Sequence, residues 1–156
     1  MPFELRRPTE SDVDVFFEHQ LDTKARWMAA FTPKDPTDRA AYDKKWRKIL
    51  DRDSFHKRTV VVAGQVAGHV VVYDSDDGHE VTYWLGRAFW GHGLATRALA
   101  AVLAEVQIRP LRARTAYDNV ASARVLVNNG FVLSHEQTFF AETRKKDIVE
   151  RVFTLS

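Results

Sequence analysis

The hydrophobic residues of this chain recur with two different periods, and the change of period separates predicted helices from predicted strands. Residues 3–8 alternate as a short strand, and helically spaced apolar residues follow behind a capping pair, Thr9 and Asp12. Residues 24–36 predict a second helix that ends in a loop, because they contain two prolines. Residues 40–51 predict a third helix that is charged and amphipathic.

The middle of the chain alternates with a period of two. Residues 58–74 contain two β-branched runs joined through Gly64 and Gln65, which predicts a hairpin, and residues 79–89 predict a third strand of the meander. The remaining elements are a helix from near Gly93 or Leu94 to about Gln107, a strand at 111–117, a helix at about 119–129, and strands at 131–140 and 147–155. Without a linker or a repeat, this order predicts one α+β domain over residues 1–156.

Composition narrows the classes of function. The chain has 156 residues and no cysteine, which suits one domain with its own core and excludes disulfides and thiol nucleophiles. Its formal charge of +2 is no nucleic-acid signature, although basic clusters lie around Trp46 and at 144–146. No apolar signal core or bilayer-length apolar stretch is present, so we expect a cytoplasmic protein without membrane contacts.

The stretch RAFWGHGLATRALA, from Arg87 to Ala100, places two glycines directly before a helix. The first amides of a helix lack partners inside it and form an anion site, and Gly91 and Gly93 let a phosphate approach the backbone. Alternatively, these glycines only turn the chain. A dinucleotide fingerprint fits poorly because Thr96 stands where a third small residue is needed, and no Gly-Lys-Ser/Thr follows for a nucleotide triphosphate loop.

Two segments, TYWLGRAFWGHGLATRAL and the later NVASARVLVNNGF, resemble the pyrophosphate loop and following helix of the GCN5-related N-acetyltransferases, the GNAT family. The resemblance is nearest to the branch of the ribosomal-protein alanine acetyltransferases. The family's Gln/Arg-x-x-Gly-x-Gly/Ala signature falls on residues 90–95, with Trp90 in place of Gln or Arg. The similarity implies a GNAT-like mixed, mostly antiparallel central sheet that splays between strands four and five, with helices on both faces.

The resemblance also implies acetyl-CoA as co-substrate. Its pyrophosphate would be held by the amides from His92 to Thr96, and its pantetheine arm would fill the gap between strands four and five, with the thioester beside Trp84 and Leu85. A free amide near Leu85 is the implied donor to the developing oxyanion. The implied cofactor-binding residues are Trp84, Leu85, Trp90, Gly91, His92, Gly93, Leu94, Ala95, Thr96 and Asn119. No metal is required, and the histidines do not occur at zinc-binding spacings.

Acetyl transfer to an amine needs a base, because a protonated amine has no lone pair. Glu80 starts the strand that lines the implied cleft and is the family-consistent base, acting directly or through water. The alternative is an ordinary strand glutamate with a cross-strand partner. His79 and His92 are further titratable candidates, although histidines in a turn and a loop commonly face solvent.

The leaving thiolate needs a second group. Many family members place a tyrosine where this chain has Leu126, so the usual general acid is missing. Ser122 lies one turn earlier on the same helix face, where its hydroxyl would hydrogen-bond the sulfur. Asn119 at the start of this helix either caps it or bonds the pantetheine chain.

The sequence therefore predicts an acetyl-CoA-dependent N-acetyltransferase that moves an acetyl group directly to a primary amine in a ternary complex. The amine belongs to a small molecule or a protein N-terminus, and Asp74, Asp76 and Asp77 hint at a cationic acceptor. A non-catalytic acyl-CoA-binding sensor is the alternative, and a nucleic-acid binder ranks last. A strand edge near the C-terminus suggests a homodimer.

Overall fold

The structure, a computed structural model, describes residues 1–76 and 78–156, so Asp77 lies outside the described residues. Its helices are α1 (Glu10–Gln20), α2 (Thr23–Ala29), α3 (Arg39–Asp51), α4 (Leu94–Glu105) and α5 (Val120–Asn128). Its strands are β1 (Glu4–Arg6), β2 (His56–Val62), β3 (Gln65–Ser75), β4 (Gly78–Leu85), β5 (Leu111–Ala116), β6 (Val132–Ala141) and β7 (Lys146–Leu155). A short 3-10 helix, Arg87–Phe89, connects β4 to the loop before α4.

The seven strands form one sheet in the order β1-β2-β3-β4-β5-β7-β6. Neighbouring strands are antiparallel except for the parallel pair β4–β5, as expected for the mostly antiparallel sheet of the predicted α+β fold. β4 and β5 pair at only two positions, His79 with Leu111 and Glu80 with Arg112. On its other side β4 stays paired to β3 as far as Leu85. The splay between strands four and five is therefore confirmed.

Helices cover both faces of the sheet. Successive strand side chains point to opposite faces, so Val70 and Val72 join a core with Leu99 and Leu126 of α4 and α5. Val71 between them packs with Trp46 of α3 and with α1 on the other face. Burial of each large apolar side chain contributes roughly 1.5–3 kcal/mol, and this burial holds the helices against the sheet.

The second helix ends at Ala29, and the predicted loop with both prolines follows it. One local prediction needs correction. The β2–β3 turn is centred on Ala63 and Gly64 rather than on Gly64 and Gln65. Both residues have positive φ, 50° and 77°, which the tight turn of a two-residue hairpin requires.

The capping pair at the start of α1 is present in part. Asp12 Oδ2 accepts a hydrogen bond from the Thr9 N–H at 3.0 Å, and the same carboxylate pairs with Arg6. Among the residues that the structure describes, no helix is both long and apolar enough to cross a membrane. Within the same residues, no group of three His, Asp or Glu side chains is arranged to hold a metal ion.

Candidate active site

The glycine-rich loop forms an open cradle at the start of α4. Gly93 is the N-cap residue with a φ of +67°, and Gly91 has a φ of +83°. The Gly93 carbonyl accepts the Arg97 N–H at 3.2 Å, and Gly93 has no side chain to cap the three amides between them. No atom of the described residues, apart from the chain neighbours, comes within 4 Å of a Cβ built at either glycine. Gly91 and Gly93 therefore both turn the chain and leave open space beside the backbone.

A cavity of about 680 Å³, the gap cavity, extends from this cradle between the end of β4 and α5, the helix that follows β5. Every predicted cofactor-binding residue except His92 lines it, and so does Ser122. His92 is exposed, and its carbonyl accepts a hydrogen bond from Arg97. The gap therefore brings together the residues that the two sequence segments predict.

The backbone of Leu85 borders this gap. The Gly86 N–H donates to Ala67 O on β3 at 2.8 Å, and successive residues of a strand direct their N–H groups to opposite sides. The Leu85 N–H therefore points towards the gap. The Leu85 carbonyl accepts the indole Nε1–H of Trp90 at 3.0 Å, so the residue that departs from the family signature ties the cradle to β4.

Glu80 is held in a buried hydrogen-bond network. Its Oε1 accepts from Arg114 Nε at 3.0 Å and Nη2 at 2.8 Å, and its Oε2 accepts from Tyr73 OH at 2.8 Å. The bond to Glu80 raises the pKa of Arg114, and burial followed by the bond to Glu80 raises the pKa of Tyr73. Glu80 does not line the gap cavity, so its carboxylate does not face the gap directly.

Ser122 has a partner that sequence reasoning missed. Its Oγ lies 2.8 Å from the hydroxyl of Tyr83 on β4, and both residues line the gap cavity. Burial raises the pKa of Tyr83 to about 12, although its hydrogen bond with Ser122 acts in the opposite direction. The alternation in β4 marks Tyr83 as facing α5, and this pattern was the available signal. Leu126, at the position of the missing tyrosine, is fully buried.

Asn119 caps α5. Its Oδ1 accepts the Ser122 N–H at 3.2 Å, and its Nδ2 donates to the Met28 carbonyl at 3.3 Å. The predicted capping role is therefore confirmed. Because Asn119 also lines the gap cavity, the residue joins α5 and α2 at the wall of the site.

A second cavity of about 370 Å³ lies on the α1–α3 side of the sheet. It shares Ala29, Tyr83, Trp84, Asn119 and Ser122 with the gap cavity, so the two meet at β4 and α5. Its other walls include side chains of both charges. Among these are Asp35, Asp38, Lys45, Arg114 and Glu150.

His69 of β3 also lines the second cavity, and sequence analysis did not identify it. Its ring packs 4.7 Å from the ring centroids of both Phe16 and Trp46. Burial, followed by the charges of Lys45 and His19, lowers the pKa of His69 to about 3. The imidazole is therefore neutral near pH 7.

Helix α2 and the loop after it are fastened to the β6–β7 turn beside this cavity. Arg144 donates from Nε to the Trp27 carbonyl at 2.9 Å, and its guanidinium lies 4.5 Å from the Trp27 ring centroid. The same guanidinium bonds Asp118 at 2.9 and 3.0 Å, which lowers the pKa of that carboxyl. Thr32 and Thr143 hydroxyls meet at 2.9 Å. Together these contacts set the outer wall of the second cavity.

Two residues of the basic clusters are buried. Trp46 is only 2% exposed and belongs to the core, so it cannot stack on a base. Arg144 is buried in its pair with Asp118.

The family assignment follows from a family model rather than from the geometry alone. A model described as an acetyltransferase (GNAT) domain matches residues 3–132, which is most of the chain. The chain belongs to the GNAT acetyltransferase family. The sequence-based resemblance is thereby confirmed, and the gap and cradle lie within the matched residues. No curated protein sequence matches the chain.

Solved structures share this GNAT fold along nearly the whole chain. A ribosomal-protein-alanine N-acetyltransferase from Brucella melitensis has a TM-score of 0.82 at 17% identity, covering 97% of this chain and 98% of that one. The ribosomal alpha-N-protein acetyltransferase RimL, in complex with coenzyme A, has a TM-score of 0.78 at 21% identity over 96% and 92%. The microcin self-immunity acetyltransferase MccE, in complex with acetyl-CoA and AMP, has a TM-score of 0.78 at 15% identity, covering 98% of this chain and 91% of that one. At these identities the likeness shows the fold alone.

Proposed function

We propose that this GNAT domain transfers an acetyl group from acetyl-CoA directly to a primary amine on a small molecule or a protein N-terminus, within a ternary complex. The observation that carries the proposal is the meeting of two cavities at β4 and α5, one of which leads back to the glycine cradle. Each cavity would hold one substrate, so the thioester and the amine would meet without an acyl-enzyme. The acetyl-CoA and coenzyme A complexes of MccE and RimL support this choice of co-substrate.

The cradle is the proposed pyrophosphate site. The open amides of Leu94, Ala95 and Thr96 would donate to phosphate oxygens, and Gly91 and Gly93 leave the space that the phosphates need. His92, which does not line the cavity, would contribute only its backbone amide. The arm would run between β4 and β5 past Trp84, and the Leu85 N–H would stabilise the oxyanion.

Glu80 remains the proposed base for the amine. Both of its carboxylate oxygens are hydrogen-bonded, and Glu80 lines neither cavity, so we propose that it takes the proton through water. The amine lone pair would attack the thioester carbonyl. The bond from nitrogen to carbon forms, the bond from carbon to sulfur breaks, and the sulfur leaves as a thiolate.

Ser122 is the proposed partner of that thiolate. A tyrosine whose pKa is about 12 stays protonated near neutral pH, so Tyr83 can donate to Ser122 Oγ. Ser122 would then direct its own proton towards the sulfur. This arrangement would replace the tyrosine that is absent at Leu126.

The protein is also proposed to form a homodimer through β6, the last strand of the sheet. Val132, Leu133, Phe139 and Phe140 on this strand are exposed apolar side chains. An unpaired strand edge can pair with the same edge of a second copy about a twofold axis. The cytoplasmic location stays a prediction from the sequence.

The decisive experiment measures binding and turnover separately. Calorimetry with acetyl-CoA tests the cradle, and release of free thiol over a panel of amines, peptides and aminoglycosides tests the transfer. We expect saturable binding together with thiol release that depends on the amine. Binding without thiol release above the blank for any amine would instead support the sensor, which the buried Leu126 allows. No binding would exclude both functions.

A further inference from the structure

The charged groups around the second cavity differ in whether they already have partners. Arg114 bonds Glu80 and Glu150, and Glu150 also accepts from Gln137 Nε2 at 2.8 Å. Asp38 accepts the Ala41 N–H at 3.0 Å, and Asp35 accepts from Thr37. The carboxylates of this cavity therefore already accept hydrogen bonds from the protein.

Two ring nitrogens at the same cavity have no such partner. Trp84 Nε1 and His69 Nδ1 are buried and make no hydrogen bond to any residue that the structure describes. The two residues sit directly opposite each other on β4 and β3, so their side chains share one face of the sheet. An indole N–H can only donate, and a buried donor without an acceptor is unfavourable. The Trp84 N–H therefore calls for a ligand that accepts hydrogen bonds, and His69 Nδ1 can donate to the same ligand in one of its neutral tautomers.

Lys45 of α3 supplies the charge for the same ligand. It lines the cavity, and no carboxylate of residues 1–76 or 78–156 lies within ion-pair distance of its ammonium. Its ammonium lies 6.0 Å from the Tyr42 ring centroid, and its charge reaches His69. Lys45, Trp84 and His69 thus line one cavity, and the Lys45 ammonium, Trp84 Nε1 and His69 Nδ1 make no hydrogen bond or ion pair with any residue that the structure describes.

We propose that the acceptor is a small amino acid whose carboxylate pairs with Lys45 and accepts hydrogen bonds from Trp84 and His69. This inference rests on the proposed function, because it places the amine of the same molecule at the junction of the two cavities. The walls also carry the carboxyl groups of Asp35, Asp38 and Glu150, so they suit a molecule that carries both charges better than a simple anion. A volume of about 370 Å³ accommodates a small molecule of this kind.

The test compares amines that differ only in the carboxylate. Thiol release from acetyl-CoA is measured with a set of amino acids, with their amides and with their decarboxylated amines. We expect kcat/KM to be about tenfold or more higher for the amino acids, because a site with unmet donors discriminates against a ligand that lacks the matching acceptor. The difference is expected mainly in KM.

A lysine pair on α3 supplies the matched variants. Lys45→Met removes the charge but keeps the apolar stem, and we expect it to lower kcat/KM for amino acids by about tenfold while leaving the amides unchanged. Lys45→Arg should retain most of the preference. Lys44 is a neighbouring exposed lysine outside both cavities, so Lys44→Met should leave kcat/KM unchanged for the amino acids and for the amides. Thermal melting of each variant establishes that it folds.

Each alternative result has a distinct meaning. If the amides or decarboxylated amines are acetylated as well as the amino acids, the inference is wrong and the proposed function stands. An equal decrease in kcat/KM for amino acids, amides and decarboxylated amines in Lys45→Met would also overturn the inference. If acetyl-CoA binds and thiol is released only with peptides or aminoglycosides, the inference is wrong and the proposed function stands. If acetyl-CoA binds and neither the three sets nor the peptides and aminoglycosides release thiol, the proposed function fails, and the amino-acid inference fails with it.

Discussion

At the scale of single residues, Gly93 combines a backbone conformation that favours glycine with open space beside its Cα. Its φ of +67° lies in the left-handed region that glycine adopts without strain, and the space beside it is open. Gly64 in the β2–β3 turn has the same two properties, with a φ of +77° and no described non-neighbouring atom within 4 Å of a built Cβ. An alanine at Gly64 therefore has the same conformational effect as an alanine at Gly93 but lies away from the proposed ligand site.

We predict that Gly93→Ala and Gly64→Ala lose similar stability but differ in binding. Each alanine should lower the free energy of unfolding by about 1 kcal/mol, because its Cβ strains the left-handed conformation. Only Gly93→Ala should weaken acetyl-CoA binding, by about tenfold or more, because its methyl group occupies the phosphate site. Urea denaturation and calorimetry provide the two measurements. Equal affinities in the two variants would contradict the proposed cradle.

At the scale of elements, periodicity predicted the helices and strands well, and the position that needed correction is a turn between two strands. The β2–β3 turn moved by one residue, because its Ala63 adopts a φ of 50° that composition does not reveal. Helix α2 is held by Arg144, which bonds the Trp27 carbonyl although it is 117 residues away in sequence. The basic cluster at 144–146 thus contains a buried structural residue.

We predict that Arg144→Met destabilises the protein by about 2 kcal/mol, because it removes a buried guanidinium that bonds the partly exposed Asp118 and leaves the Trp27 carbonyl without its donor. Lys145→Met, at the adjacent exposed lysine, is the control and should change the free energy of unfolding by less than about 0.5 kcal/mol. Chemical denaturation gives both values. A loss of less than about 1 kcal/mol in Arg144→Met would mean that the clamp contributes little.

At the scale of the whole molecule, the candidate site lies where the sheet opens between β4 and β5. β4 and β5 pair at two positions only, and the gap that follows joins a cavity on the α4–α5 side to one on the α1–α3 side. The sheet also ends in β6, whose outer edge is unpaired within the described chain. Apolar side chains exposed on that strand make it the proposed contact between two copies.

We predict that the protein is a dimer of twice 17.9 kDa and that Phe140→Lys makes it monomeric, because a lysine on an edge strand opposes pairing with a second edge. Light scattering across a concentration series measures the mass. Val127→Lys is the control, since Val127 is also apolar and exposed but lies on α5. A wild-type protein that stays monomeric at every concentration would refute the proposed contact.

The sequence by itself determined the order of elements, the glycine cradle and its helix, because periodicity, turn residues and caps depend on residues close together in the chain. The residues predicted to bind the co-substrate accordingly line one cavity, apart from His92. Contacts between distant residues were decided only by the tertiary structure. Tyr83 and Ser122 are 39 residues apart, and the partners of Glu80 come from β3 and β5. The burial of His69 likewise depends on side chains from α1 and α3 that no local pattern brings together.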